Sequence, residues 1–136
     1  MLEAITAMAS VIGDPYLLML IAVTTVLGIV IGVLPGLGAT TGAALLLPFT
    51  LTMSPVNAIA VLATLYVSAT FAGSITAILI NTPGTSAAAA TTFDGFPLAQ
   101  RGEAGRALGI AVVSSTIGGI FSIIVLCLAA PLLARV

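Results

Sequence analysis

The sequence predicts an all-α integral membrane protein with about three transmembrane helices. Of its 136 residues, 60% are hydrophobic and only 5% are charged, whereas a soluble domain carries about 25% charged residues to meet water. Three uncharged apolar runs, at about 16–33, 56–80 and 107–130, are long enough to cross a bilayer. Two Pro-Gly breaks, at 34–42 and 81–92, interrupt the apolar sequence and are expected to form half-length or re-entrant segments.

The first predicted span begins with a helix-start signal and contains a strip of small residues. Asp14 and Pro15 precede the apolar run, an arrangement typical of a capping residue followed by proline in the first turn. Gly28, Gly32 and Gly36 follow at four-residue spacing, so one helix face is smooth enough for a second backbone to approach closely. We interpret Gly28 and Gly32 as residues of a packing seam.

The first break, 34–42, carries three glycines and a proline and leads into a short apolar segment. Nine or ten helical residues rise roughly 14 Å, which is half of the hydrocarbon core of a bilayer. Segment 43–51 therefore cannot cross a bilayer alone.

The second span, 56–80, is rich in small polar side chains and ends at the second break. Such side chains can bond to their own helix or to a neighbouring one, so we expect this helix not to face lipid on every side. They are Asn57, Thr64, Ser68, Thr70, Ser74 and Thr76. The break that follows, 81–92, is polar without being charged.

The region between the second and third spans holds most of the charged residues. Asp94-Gly95-Phe96-Pro97 is typical of a turn, and residues 100–105 are typical of a solvated connection. In the third span we expect the small residues to lie on the packing side. These are Ser114, Ser115, Gly118 and Gly119.

Composition argues against several classes of function. The chain has no His or Lys and a formal net charge of −1, so it offers no basic patch for nucleic acid. A metal site would lack a His/Cys cluster, and a serine nucleophile would lack a lysine base. The carboxylates are scattered, at Glu3, Asp14, Asp94 and Glu103. We predict no enzyme, no catalytic residue, no metal ligand and no cofactor.

The glycine-rich first break does not match a nucleotide-binding loop. Thr41 stands where the dinucleotide fingerprint needs its third glycine, and no Lys-Ser or Lys-Thr pair follows to form a phosphate loop. Nucleotide binding is therefore not predicted.

Both breaks are candidates for a ligand site formed largely by backbone groups. Irregular backbone at membrane depth occurs where protein buries it or where it lines a watery cavity. In discontinuous helices, N-termini aim N–H groups at anions, and unwound carbonyls hold a coupling cation. The candidate residues are Gly36, Gly38, Thr40 and Thr41 in the first break, and Asn81, Thr82, Gly84, Thr85 and Ser86 in the second. The alternative is that both breaks are tight turns between helices.

Five short motifs cover most of the chain. They are GVLPGLG at 32–38, LLPFT at 46–50, GSITAILINTPG at 73–84, ATTFDGFP at 90–97 and GEAGRAL at 102–108. In this order, over roughly 28–133, they resemble the large membrane subunit of the tripartite tricarboxylate transporters, the TctA family. The chain departs from the family pattern at Ala39, where proline is usual. It also departs at Val67, Ser68 and Ala72, which replace a stretch richer in tyrosine and glycine.

The resemblance implies a multi-pass permease of the bacterial inner membrane for tricarboxylates such as citrate, or for related carboxylates. It implies uptake driven by a gradient of Na⁺ or H⁺ rather than by ATP. It also implies two partners, a small membrane subunit and a periplasmic solute-binding protein that delivers the substrate. Family members are several times longer, so residues 1–136 resemble an N-terminal portion, a partial transmembrane domain of a larger transporter fold.

Alternatives remain open for one residue and for the whole chain. Asp94 is a candidate for coupling cation entry, although an Asp-Gly pair before Phe-Pro is more typical of a turn. The chain as a whole could also be a non-transporting membrane scaffold, an assembly subunit or an inactive fragment, whose glycine strips serve helix packing alone. A passive channel is a third alternative, weakened because the sequence has no evident ring of charges.

Overall fold

The computed structural model describes residues 13–133, the last three as backbone only, and its regular structure is helical. The elements are α1 (Pro15–Val33), α2 (Gly38–Thr50), α3 (Pro55–Ile80), one turn of 3-10 helix (Ser86–Ala88), α4 (Thr91–Gln100) and α5 (Ala104–Leu133). Three segments are long and apolar enough to cross a membrane, namely Pro15–Val33, Pro55–Ile80 and Ala104–Ala130. With no strand between residues 13 and 133, the predicted all-α membrane fold is confirmed. Glu3 lies outside the described residues.

Side-chain caps fix the start of the two long helices α1 and α3. The Asp14 carboxylate accepts from the backbone N–H of Tyr16 at 2.9 Å and of Leu17 at 3.4 Å. Ser54 accepts from the backbone N–H of Asn57 at 3.4 Å. A proline follows each cap in the first turn, where its missing N–H costs no hydrogen bond. The predicted helix start at Asp14 is confirmed.

Helices α1 and α3 run parallel and touch through glycine. A Cβ atom on Gly28 would lie 2.9 Å from the carbonyl oxygen of Leu65, and one on Gly32 would lie 2.7 Å from the Cα of Ala69. Neither helix could keep its position if these glycines carried side chains. The predicted packing role of Gly28 and Gly32 is confirmed, whereas Gly36 lies in open space beyond the helix end.

Helix α2 returns antiparallel to α1 as a half-length segment. Its 13 residues rise about 20 Å, less than the roughly 30 Å hydrocarbon core. Gly42 lies between Ile31 of α1 and Leu65 of α3, where a Cβ would be 3.0 Å and 3.2 Å from their side chains. The helix begins at Gly38, inside the predicted break of 34–42, and Ala39 of its first turn is already buried.

The second break forms a re-entrant hairpin beside α3. Helix α3 ends at Asn81 in the left-handed conformation with φ 56°, and the chain then runs back along the helix. The backbone N–H of Gly84 donates to the carbonyl of Gly73 at 3.2 Å. Gly73 lies seven residues before the end of α3, a depth of about 10 Å. The chain reverses at Ser86–Ala88 and α4 leads away again.

The predicted turn at Asp94–Pro97 is wrong, because these residues lie inside α4. Gly95 is buried against α3, and a Cβ there would lie 2.7 Å from the Ile78 side chain. The glycine therefore serves close helix contact and not a turn conformation. Helix α4 ends instead at Gln100, and the chain turns two residues later at Gly102, with φ 82°. There the N–H of Gly102 bonds to Ala99 and that of Glu103 to Leu98, each at 3.0 Å.

Helix α5 contacts α3 and α4 near its start, and its remaining length is exposed. Ala107 is buried, but from Val112 to Leu128 every residue is exposed. The prediction that the small residues of this span lie on a packing side stays a prediction. All four are exposed: Ser114 and Ser115 border the space between α3, α4 and α5, whereas no described atom lies within 4 Å of a Cβ at Gly118 or Gly119.

Candidate functional site

The two breaks meet in the fold and line one pocket. The pocket has a volume of about 240 Å³ and is completed by α3. Its lining residues are Gly36, Leu37, Gly38, Ala39, Thr40, Thr41, Tyr66, Thr70, Gly84, Thr85, Ser86 and Ala87. The Pro-Gly pairs of the two breaks are 48 residues apart in the sequence. They meet here because α1 and α3 are parallel and the second break folds back to the level of Gly32.

The first break contributes the start of a helix to this pocket. Gly36 and Gly38 have φ values of 91° and 56°, a left-handed conformation that glycine adopts without steric cost. Helix α2 begins at Gly38 with no side-chain cap. The N–H groups of its first turn have no partner within the helix, and the dipole is positive at this end. The first break therefore presents unsatisfied donors to the pocket.

Hydroxyl groups on α2 and in the second break add to these donors. In most of the described helices, Ser and Thr hydroxyls donate to a carbonyl of their own helix, as Thr25 does to Ile21 at 2.7 Å. Thr40, Thr41 and Ser86 form no such bond within the described chain and are exposed. Their hydroxyls are free to contact a bound molecule.

The glycine of the second break has a packing role in the pocket wall. A Cβ on Gly84 would collide with the carbonyl oxygen of Gly32 and lie 2.9 Å from the Cα of Gly73. The neighbouring Thr85 hydroxyl oxygen is buried without a hydrogen-bond partner. This oxygen lies against Gly73, and a Cβ on Gly73 would be 2.8 Å from it. Gly84 and Thr85 thus hold the break against α3. A ligand would contact the Thr85 hydroxyl only if that side chain rotated away from Gly73.

The structure separates three of the candidate residues from this pocket. Asn81 and Thr82 are exposed at the end of α3, and the Thr82 hydroxyl donates to the carbonyl of Ile80 at 3.2 Å. Asp94 lines a different pocket, between α3, α4 and α5. Sequence reasoning missed Tyr66 and Thr70 of α3. Their four-residue spacing places both hydroxyls on one face of α3, and this pattern could have indicated a polar face toward the breaks.

No side chain lining the 240 Å³ pocket is charged. Binding of an anion there would depend on backbone N–H groups, the helix dipole and hydroxyls, as at other helix N-termini. Such a site suits a carboxylate group, which accepts several hydrogen bonds through two oxygens.

Comparison with known proteins decides the family. Residues 18–136 match the model of the tripartite tricarboxylate transporter TctA family. The chain belongs to the TctA family. This is a transporter family, so at this level the prediction of a non-enzymatic membrane protein is supported.

One curated relative extends the comparison. Over 114 residues, 84% of this chain, the TctA-family chain is 46% identical to an uncharacterized 52.8 kDa protein in the TAR-I ttuC' 3' region of Agrobacterium vitis. The aligned part is 23% of that protein, so the chain spans about a quarter of the length of the curated relative it matches. No solved structure matches the chain.

Proposed function

We propose that this TctA-family chain forms part of the membrane permease of a tripartite transporter for tricarboxylates or related carboxylates. The pocket between the two breaks holds a carboxylate group of the substrate. In this proposal a periplasmic solute-binding protein delivers the substrate, a small membrane subunit completes the permease, and an ion gradient across the bacterial inner membrane drives uptake.

The meeting of the two breaks at the uncapped start of α2 carries the proposal. A tight turn between helices would explain the glycines of one break, but it would not explain a second, distant break beside it. Here both breaks open to the same 240 Å³ pocket, and Thr40, Thr41 and Ser86 present free hydroxyls to it. Paired interruptions that form one cavity are the arrangement in which transporters bind substrate and ion.

Uptake of labelled citrate by the complete protein, produced with its partner subunits, tests this function. The double variant Thr40→Val with Thr41→Val keeps side-chain shape and removes both hydroxyls. We expect the apparent KM for citrate to rise about 30-fold, since each of the two lost hydrogen bonds contributes about 1 kcal/mol. Thr116→Val is the matched control, because the Thr116 hydroxyl lies on α5 and donates to Val112 at 2.8 Å.

Chemical labelling gives a second measurement of the same site. Cys127 is the only cysteine among these 136 residues, so Cys127→Ser with Thr41→Cys places one thiol at the pocket and none elsewhere in this part of the protein; the Cys127→Ser protein without Thr41→Cys is the background for labelling. We expect citrate to slow its reaction with a maleimide. Unchanged KM in the double valine variant, together with labelling that citrate does not slow, would contradict the proposal. Absence of citrate uptake by the complete protein would instead favour the non-transporting scaffold, in which the glycines act in packing alone.

A further inference from the structure

Helix α5 has two sides that differ in the size of their side chains. Residues three or four positions apart lie on the same side of a helix. By this spacing one side, which we call the small face, carries Ala107, Ala111, Ser114, Gly118 and Ser122. The opposite side carries larger side chains, namely Val112, Val113, Thr116, Ile120 and Ile123. The helix is apolar all round, so this difference in size is what distinguishes the two sides.

The small face of α5 is continuous with a contact that the structure already shows. Ala107 is buried where α5 meets α3 and α4, and Ala111 is half-buried one turn later. From Ser114 onward the small face is exposed, and no described atom lies within 4 Å of a Cβ at Gly118. From Ser114 to Ser122 the face runs on for about two helical turns. An interface that begins among the described helices is therefore left without a partner over this length.

The hydroxyl groups of α5 differ between the two sides in the same way. Thr116, on the side with larger residues, donates to the carbonyl of Val112 at 2.8 Å and so satisfies its own hydroxyl. Ser114 and Ser122, on the small face, form no side-chain hydrogen bond within the described chain. Lipid cannot supply an acceptor for a hydroxyl in the hydrocarbon region. The side with Thr116 is therefore suited to lipid, whereas the small face is suited to a protein partner.

The size of the side chains indicates what kind of partner covers the small face. Lipid tails are as apolar as leucine, so burying apolar surface does not by itself drive helices together in a membrane. Close backbone approach does, and it needs small residues such as Gly, Ala and Ser at the contact. The α1–α3 seam shows this in the same protein, since Gly28 and Gly32 bring the backbones of the two helices together. The partner of the small face is therefore another transmembrane helix.

The position of the small face favours a helix of the same chain over a second copy. Ser114 borders the space between α3, α4 and α5, so the small face is directed toward the inside of the helix bundle. A second copy would more easily meet the outward side with the larger residues. The aligned part is 23% of the curated relative, so more than three-quarters of a protein of that length lies outside it. Helices that follow one another in the chain are usually neighbours in space.

We propose that a transmembrane helix from the part of the complete protein that follows residue 136 packs on the small face of α5. Gly118 is the point of closest approach, and the hydroxyls of Ser114 and Ser122 donate to the docked helix. Helix α5 and that helix then form one unit, attached to α3 and α4 through the contact at Ala107. This packing does not depend on the proposed carboxylate uptake.

Thermal unfolding of the complete protein in detergent tests the contact with a matched pair of variants. Gly118 and Gly109 both lie in α5, and no described atom lies within 4 Å of a Cβ at either position. Gly118 is on the small face and Gly109 is on the opposite side. We expect Gly118→Leu to lower the unfolding temperature by roughly 2–6 °C through overpacking. Gly109→Leu should leave it unchanged or raise it, since leucine is the better helix former. Equal unfolding temperatures for the two variants overturn the proposal.

Photochemical crosslinking in membranes identifies the partner, and it needs no variant that threatens folding at Gly118. A diazirine amino acid at Ser122 should crosslink to a peptide of the same chain beyond residue 136, without a change in the mass of the protein. The same group at Ile120, on the opposite side, is the control and should crosslink mainly to lipid. Crosslinks from position 122 to a second copy, seen as a doubled mass, overturn the proposal. Crosslinks to another subunit, or to lipid alone, overturn it as well.

Discussion

The backbone amide of Gly84 donates to the carbonyl of Gly73 across 3.2 Å, so the second break is bonded directly to a membrane helix two turns before that helix ends. Both residues are buried, and a Cβ on either would contact backbone atoms of the other segment. This hydrogen bond satisfies one polar group of a break that lipid could not solvate. It also fixes the depth at which Thr85 and Ser86 reach the carboxylate pocket.

Replacing Gly84 by alanine should destabilise the protein by about 1–3 kcal/mol, the usual range for overpacking. The added methyl group would meet the carbonyl of Gly32 and the Cα of Gly73, which are backbone atoms and cannot rotate away. Thermal unfolding in detergent measures the loss. Gly105→Ala is the matched control, because nothing lies within 4 Å of a Cβ at that position in α5. Equal unfolding temperatures for both variants would contradict the close contact.

Replacing Gly38 by alanine should cost about 1–2 kcal/mol for a different reason. No atom lies within 4 Å of a Cβ at Gly38, but the residue has φ 56°, where side chains other than those of Asn and Asp are disfavoured. Gly38→Asn should therefore lose less stability than Gly38→Ala, although its side chain is larger. The same unfolding measurement compares them. If asparagine is the more damaging substitution, steric contact and not backbone conformation limits this position.

Asn81→Gly should leave both stability and the apparent KM for citrate nearly unchanged. Asn81 ends α3 with φ 56°, a conformation that glycine adopts at least as easily, and its side chain lies outside the carboxylate pocket. Asn81→Val should be less stable by about 1 kcal/mol or more, because a β-branched residue is strained there. A raised KM in a stable Asn81→Gly protein would show that the amide reaches the substrate.

Asp14→Ala should lower stability by about 1 kcal/mol, since two N–H groups at the start of α1 lose their acceptor. Asp14→Asn keeps a side-chain oxygen and should retain most of the stability. Thermal unfolding of the two variants distinguishes capping from a general effect of charge. Equal losses in both would mean that the negative charge near the helix dipole, and not the hydrogen bond, stabilises this end.

Much of the fold could be predicted from composition and local signals. Apolar runs and Pro-Gly breaks predicted three spanning helices with short segments between them, and the four-residue spacing of Gly28 and Gly32 predicted their packing. These features depend only on neighbours along the chain. The direction of α1 relative to α3 depends on packing between distant parts of the chain. The sequence therefore did not reveal that the two breaks meet, or that Tyr66 and Thr70 complete the pocket.

Gly95 shows why local signals failed in α4. An Asp-Gly pair followed by Phe-Pro favours a turn when it is considered alone. In the structure Gly95 lies inside a helix, and it is glycine because the Ile78 side chain leaves no room for a Cβ. A glycine required for conformation and one required for contact cannot be distinguished without knowledge of the packing partner. The small residues of α5 present the opposite case, since their predicted partner is not among the described helices.

The glycine contacts between α1, α3 and the second break bear on how this part of the protein can move. Gly32, Gly73 and Gly84 touch through backbone, so no side chain between them could change rotamer to let one segment slide past another. We expect these three segments to move as a single rigid body. Helix α5 touches α3 and α4 only near its start and is the element best able to swing away. The cavity lined by Asp94, Ser114 and Ser115 would then open on the α5 side, while the α1–α3 seam stays closed.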